Sequence, residues 1–287
     1  MSDNTAVESP RPDEAPPEED ERSAFEKAAD EAGEDVDPRT VPQTLDEPPP
    51  VGDEIEYPEH AEEDHETWRI LVERQMEQLP GRACQAYLDG QDVLKLEADR
   101  IPPLANLSQR LEDATGWTVA NVPGLIDEKD FFDLLSRRIF PSTNYVRGRD
   151  EINYTPAPDC FHDIFGHMPM LTQPAFADFY QLFGQAALGA EGPVRPKLEA
   201  FHWFTVEFGL LRENGEQRIF GAGIVSSNEE VTHALSDEVE VVPFDPDTLV
   251  NTDYEVYHLQ DTLFVMDSFQ QLLDGFRGWT QAKGLLE

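Results

Sequence analysis

Cysteine is almost missing from this chain. Only Cys84 and Cys160 occur in 287 residues, too few for a disulfide framework, so packing must hold the core, as in a reducing compartment. Basic residues are scarce too. Lys and Arg number 21 against 59 Asp and Glu, a net charge of −38. Nucleic-acid binding needs clustered cations to meet phosphates, so that class of partner is excluded. No stretch approaches the ~18 consecutive apolar residues of a membrane span. The opening Met1-Ser2-Asp3-Asn4-Thr5 shows neither the basic start nor the apolar run of a secretory leader. Together these absences predict a cytoplasmic protein with no membrane partner.

What is present divides in two. Residues 1–55 are acidic and proline-rich, with Pro10, Pro12, Pro16, Pro17, Pro38, Pro42 and Pro48-Pro49-Pro50 among few bulky apolar side chains. Such a segment buries too little surface to offset its ordering entropy and is expected to be a disordered tail. Residues 56–287 form the expected folded domain; the whole chain is 39% hydrophobic and 10% aromatic, enough for a real core. The acidic excess extends into that domain, so concentrated salt would screen its self-repulsion, as in halophilic proteins. Apolar spacing predicts helices over 62–78, 82–88 (ending near Gly90), 103–115, 128–138 behind an Asp127 cap, 174–188, 196–213, 229–235 and 269–279. Short strands are expected near 218–220, 239–242 and 262–266, with an extended stretch over 139–146. The predicted class is α+β, predominantly α-helical, in a single folded domain.

Two histidines stand out. His162 and His167 lie five apart in Pro158-Asp159-Cys160-Phe161-His162-Asp163-Ile164-Phe165-Gly166-His167-Met168-Pro169. On a straight α-helix, at about 100° per residue, they would point about 140° apart. They converge if a short helix over 159–166 breaks between them, and Gly166 and Pro169 supply the expected break. The second feature is Glu207, in the middle of the apolar run Phe201–Leu211. A buried carboxylate needs a cation. Arg195 or Arg212 could supply it, and so could a metal. Two imidazoles and one carboxylate leave three positions open on an octahedral ion, the donor set of non-haem iron(II) oxygenases, although zinc hydrolases also use two His and a Glu.

At these residues the chain resembles the pterin-dependent aromatic amino acid hydroxylases, the bacterial enzymes acting on phenylalanine in particular. The matching blocks are Tyr154–Asp159, His162–Pro169, Trp203–Leu210, Gly221-Ala222-Gly223 and Ser226-Ser227. The resemblance implies iron(II) held by His162, His167 and Glu207, which are then the catalytic centre. It implies a tetrahydrobiopterin or related reduced pterin stacked on Phe131, hydrogen-bonded by backbone groups of Gly124, Leu125 and Ile126, with Asp163 nearby in place of the family's usual Glu. It implies that Arg147 holds the carboxylate of L-phenylalanine, that Thr155 and Ser226 assist at its head group, and that Pro158, Trp203 and His162 wall its ring. Trp203 and Val256 favour phenylalanine over tryptophan or tyrosine, the alternatives within the family. His202 stands where animal members have Tyr beside the iron. The small-molecule partners expected are L-phenylalanine, O2 and the reduced pterin, acting on a monomer.

Overall fold

The computed structural model describes residues 37–287 except Tyr257. Most of the predicted tail therefore lies outside the described residues. Residues 37–55, inside the stretch assigned to that tail, pack on the body. Arg39 pairs with Asp37 and, at 2.8 Å, with Glu151. The Gln43 N–H donates to the Leu125 carbonyl, and the Asp127 N–H donates to the Gln43 carbonyl, both at 2.9 Å. The Leu45 N–H donates to Asp130 Oδ2 at 2.8 Å, and Val51 bridges to Ala120.

Helix Glu62–Gln78 buries Trp68, Leu71, Val72 and Gln75, one stripe at turn spacing. Helix Leu104–Thr115 buries Leu104, Leu107 and Leu111 and stops at Gly116, whose φ of 77° suits glycine. Helix Glu128–Ser136 starts where the Asp127 carboxylate accepts the Lys129 N–H. Helices Pro174–Leu188 and Phe269–Ala282 enclose, with Phe201, an aromatic core of Phe176, Phe179, Tyr180, Phe183 and Phe276. The remaining strands are short. β1 (Thr118–Asn121) pairs in parallel with β2 (Ile139–Ser142). β3 (Leu210–Glu213), β4 (Glu216–Ile219), β5 (Glu240–Pro243) and β6 (Thr262–Met266) form a second sheet in the order β4-β3-β6-β5. The α+β class with helices dominant holds.

Three local expectations are corrected. The second helix runs over Gln85–Leu94 and passes through Gly90. A side chain there would lie 2.2 Å from the Pro169 carbonyl oxygen, so this glycine permits close packing and does not end the helix. The helix expected over 196–213 ends at Glu207; Leu210 and Leu211 instead pair with Val265 and Met266 of β6. The break expected between His162 and His167 does not occur. The chain is continuously helical over 160–171, with π-helical winding over His162–His167.

Candidate metal centre and active site

The π winding does what the expected break was to do. Its wider turn brings residues five apart toward one face. The His162 and His167 Nε2 atoms lie 2.9 Å apart. Pro169 lacks the N–H that an α-helix would give to the Phe165 carbonyl, and the Tyr87 hydroxyl serves that oxygen at 2.7 Å. Tyr87 in turn receives the Gln91 side-chain amide at 2.7 Å. Gly166 packs against Ala222, whose oxygen would be 3.1 Å from an added Cβ.

Glu207 ends a second π turn, Trp203–Glu207, which follows helix Arg195–His202. It is therefore at the end of the helical run and not in its middle. Gly221 allows β4 to turn back against it, since a Cβ there would sit 2.3 Å from the Glu207 carbonyl oxygen. The carboxylate lies 3.3 Å from His167 Nε2 and 3.6 Å from His162 Nε2. One ligand atom from each of the three side chains lies within 4.8 Å of the others. Arg195 and Arg212, the other cations considered for Glu207, pair with Glu128 and Asp267.

The surrounding contacts fix the protonation states. The Ser226 hydroxyl donates its one proton to the Ala222 carbonyl at 2.7 Å. At 3.0 Å it must therefore accept from Nδ1–H of His162. His162 thus carries its proton on Nδ1 and aims the Nε2 lone pair into the site. Burial pushes the His162 imidazole down to about 4, against the pull of Glu207, so it is neutral at pH 7. Burial likewise holds His202 at about 4. Burial would raise Glu207, but His167, His162 and His202 outweigh it and hold the carboxyl well below the usual range. Two imidazoles converging on an ionised carboxylate fit a hard-to-borderline divalent ion and leave room for further ligands.

The other predicted site residues fall as follows. Ser226 contacts His162, as above. Asp163 is buried, accepts from the Thr143 N–H at 2.8 Å and its hydroxyl at 3.2 Å, and is pushed up to about 7 by burial. Phe131 meets His202 edge-on with ring centres 6.1 Å apart. Gly124, Leu125 and Ile126 lie just ahead of the helix bearing Phe131, with the Leu125 carbonyl taken by Gln43. Arg147 is buried and doubly bonded to Asp159, both contacts 2.8 Å. The Thr155 hydroxyl donates to Ala157 O at 3.0 Å, and the Pro158 carbonyl accepts from Tyr145. Trp203 stacks on Tyr254 with centres 4.8 Å apart. Sequence reasoning gave no role to Asp159, Tyr180 (3.0 Å from His202 Nε2), Tyr254 or Gln260. Asp159 alone carried a signal, being an acid just ahead of the histidine pair.

Helices carrying two imidazoles and a carboxylate to one point, beside an aromatic wall, define a mononuclear metal-dependent enzyme. Comparison with known proteins makes this specific. The family model for biopterin-dependent aromatic amino acid hydroxylases matches residues 49–284. A phenylalanine-4-hydroxylase of Chromobacterium violaceum is 41% identical over 242 residues, covering 84% of this chain and 77% of the relative. One from Ralstonia nicotianae is 43% identical over 227 residues, covering 78% and 72%. The crystal structure of the Chromobacterium violaceum enzyme, with bound iron(III) and 7,8-dihydrobiopterin, aligns at TM-score 0.75 and 41% identity, covering 78% of this chain and 83% of that one. The chain belongs to the biopterin-dependent aromatic amino acid hydroxylases. It is a pterin-dependent monooxygenase, and the zinc-hydrolase alternative is not favoured.

Proposed function

We propose that the chain is a phenylalanine 4-monooxygenase, converting L-phenylalanine to L-tyrosine with O2, iron(II) and a tetrahydropterin. The convergence of His162, His167 and Glu207 carries this reading. Iron, O2 and the pterin supply the oxygen-transfer chemistry: one oxygen atom enters the ring, and the pterin provides the two electrons that reduce the other.

The protein's own residues orient and insulate. His162, held by Ser226, presents a neutral nitrogen and His167 a second imidazole; Glu207 supplies the negative charge that balances the cation. Phe131 offers a ring face to the pterin, next to backbone groups of Gly124, Leu125 and Ile126, with Asp163 behind the histidine turn. Arg147 spends its Nε and one terminal nitrogen on Asp159, so its other terminal nitrogen is the one assigned to the substrate carboxylate, beside Thr155. Pro158, Trp203 and His162 line the ring.

The chain acts as a monomer in the cytoplasm, and its acidic surface suits a salt-rich one. Among the described residues no helix is long and apolar enough to cross a membrane. The test is anaerobic loading with iron(II), then phenylalanine, tetrahydropterin and O2, across salt concentrations. Tyrosine is the expected product. Equal or better turnover of tryptophan, or retained zinc with no O2 uptake on iron loading, overturns the assignment.

A further inference from the structure

The Trp203 wall is held by a residue 57 positions away in sequence. The indole Nε1–H of Trp203 donates to Gln260 Oε1 at 2.9 Å. The other end of the same amide donates to the carbonyls of Glu255 at 2.8 Å and His258 at 2.7 Å. An indole nitrogen can only donate and a carbonyl can only accept, so this orientation of the amide is the one that satisfies every partner. Gln260 is 4% exposed. Its backbone is tied on both sides as well: its N–H reaches Glu230 Oε1 at 3.3 Å, and its carbonyl meets His233 Nε2 at 3.1 Å.

The consequence is geometric. Tyr254 stacks on one face of the Trp203 ring, 4.8 Å between centres at 21°, and Phe208 lies 4.6 Å from it at 34°. Tyr254 belongs to the loop that the Gln260 amide gathers. Edge and face of the indole are thus fixed by one side chain, through two routes. The Trp203 carbonyl also accepts the N–H of Phe208, the residue after Glu207, at 2.8 Å. The main chain at Trp203 is thus held by the Glu207 turn independently of the indole.

We propose that Gln260 is a positioning residue for the aromatic substrate, locking Tyr254, Glu255 and His258 to Trp203 so that the indole presents one fixed wall to the ring being hydroxylated. Gln260 acts through Trp203, Glu255 and His258, the partners of its side chain. The inference rests on the phenylalanine-hydroxylase reading above.

The test uses the iron-loaded full chain and two variants. Gln260→Leu removes both ends of the amide. Gln260→Glu keeps size and the acceptor for the indole but cannot donate to the two carbonyls. In Gln260→Leu the phenylalanine KM rises about tenfold and less tyrosine forms per pterin oxidised, because the ring is misplaced. The pterin KM and iron content stay within about twofold of the parent, since the amide bonds only Trp203, Glu255 and His258 and none of His162, His167 or Glu207. Hydrogen exchange over residues 254–260 speeds up in both variants while the helices stay protected. Gln260→Glu shows the same pattern at smaller amplitude and decides the question if Gln260→Leu does not fold. An unchanged phenylalanine KM and product ratio in a folded variant overturns the proposal. So does a loss that strikes phenylalanine, pterin and iron alike, which would mean a general packing role. A parent protein that makes no tyrosine sinks the function assigned above; an active parent with indifferent variants sinks only the role of Gln260.

Discussion

Replacing Ser226 with alanine separates the role the structure gives it from the one the family resemblance implied. In the structure the hydroxyl fixes the His162 tautomer: it donates to the Ala222 carbonyl at 2.7 Å and accepts Nδ1–H at 3.0 Å. Without it the imidazole is free to carry its proton on Nε2, where it cannot bind a metal, and the ring loses one of the contacts that set its angle. Removing a hydrogen bond that orients a ligating histidine costs about 10- to 100-fold in metal affinity, or about 1.4–2.7 kcal/mol. Ser226→Ala should therefore raise the iron(II) Kd by that factor, measured anaerobically by competition with a chromophoric chelator. With iron saturating, the phenylalanine KM should move little. If the iron Kd is unchanged and the phenylalanine KM rises instead, Ser226 serves the substrate's head group and the tautomer argument fails.

Three further outcomes follow from the same geometry. Glu207→Ala should abolish iron binding and leave a folded protein; bound iron near one equivalent per chain would remove Glu207 from the metal centre. Arg147→Ala strands the fully buried Asp159 carboxylate, so denaturant unfolding should show a loss of about 3–5 kcal/mol, not a clean rise in KM; a stability within error of the parent refutes this. Glu230 is pushed up from 4.5 to about 7 by burial. The folded state keeps its proton where the unfolded state has lost it, so Glu230 lowers stability as pH rises from 4.5 to 7. Glu230→Gln should lose that slope and unfold at higher denaturant than the parent above pH 7, the two converging toward pH 5. Parallel curves would show that Glu230 is ionised throughout.

The long helices were legible because their apolar residues repeat at turn spacing. Glu62–Gln78 and Pro174–Leu188 fall where periodicity puts them, as does β6. The histidine pair and Glu207 were legible as chemistry, since a buried acid needs a cation and imidazoles are ready metal ligands. Their geometry was not. Spacing five reads as divergent on an α-helix, and Pro169 reads as a stop; the Tyr87 hydroxyl that serves the freed Phe165 carbonyl comes from 78 residues away. β1 and β3 have four residues each, too short for an alternation pattern to stand out. Gly90 and Gly166 look like stops in one dimension and prove to be contact points, because the neighbours that need the space, Pro169 and Ala222, lie in other segments. Gln260 is one polar residue in a polar loop until the indole across from it is seen.

The packing of residues 37–55 on the body bears on how the enzyme can be shortened. Trimming by composition, at residue 55, would discard Arg39, Gln43, Leu45 and Val51 along with the acidic stretch. That would bare the Leu125 carbonyl and the Asp127 N–H, and take from Asp130 and Glu151 the groups they grip. The histidine pair and Glu207 share none of those bonds. Such a trimmed enzyme should load iron normally yet need more pterin for half-maximal rate, a defect that measurement of metal content alone would never reveal.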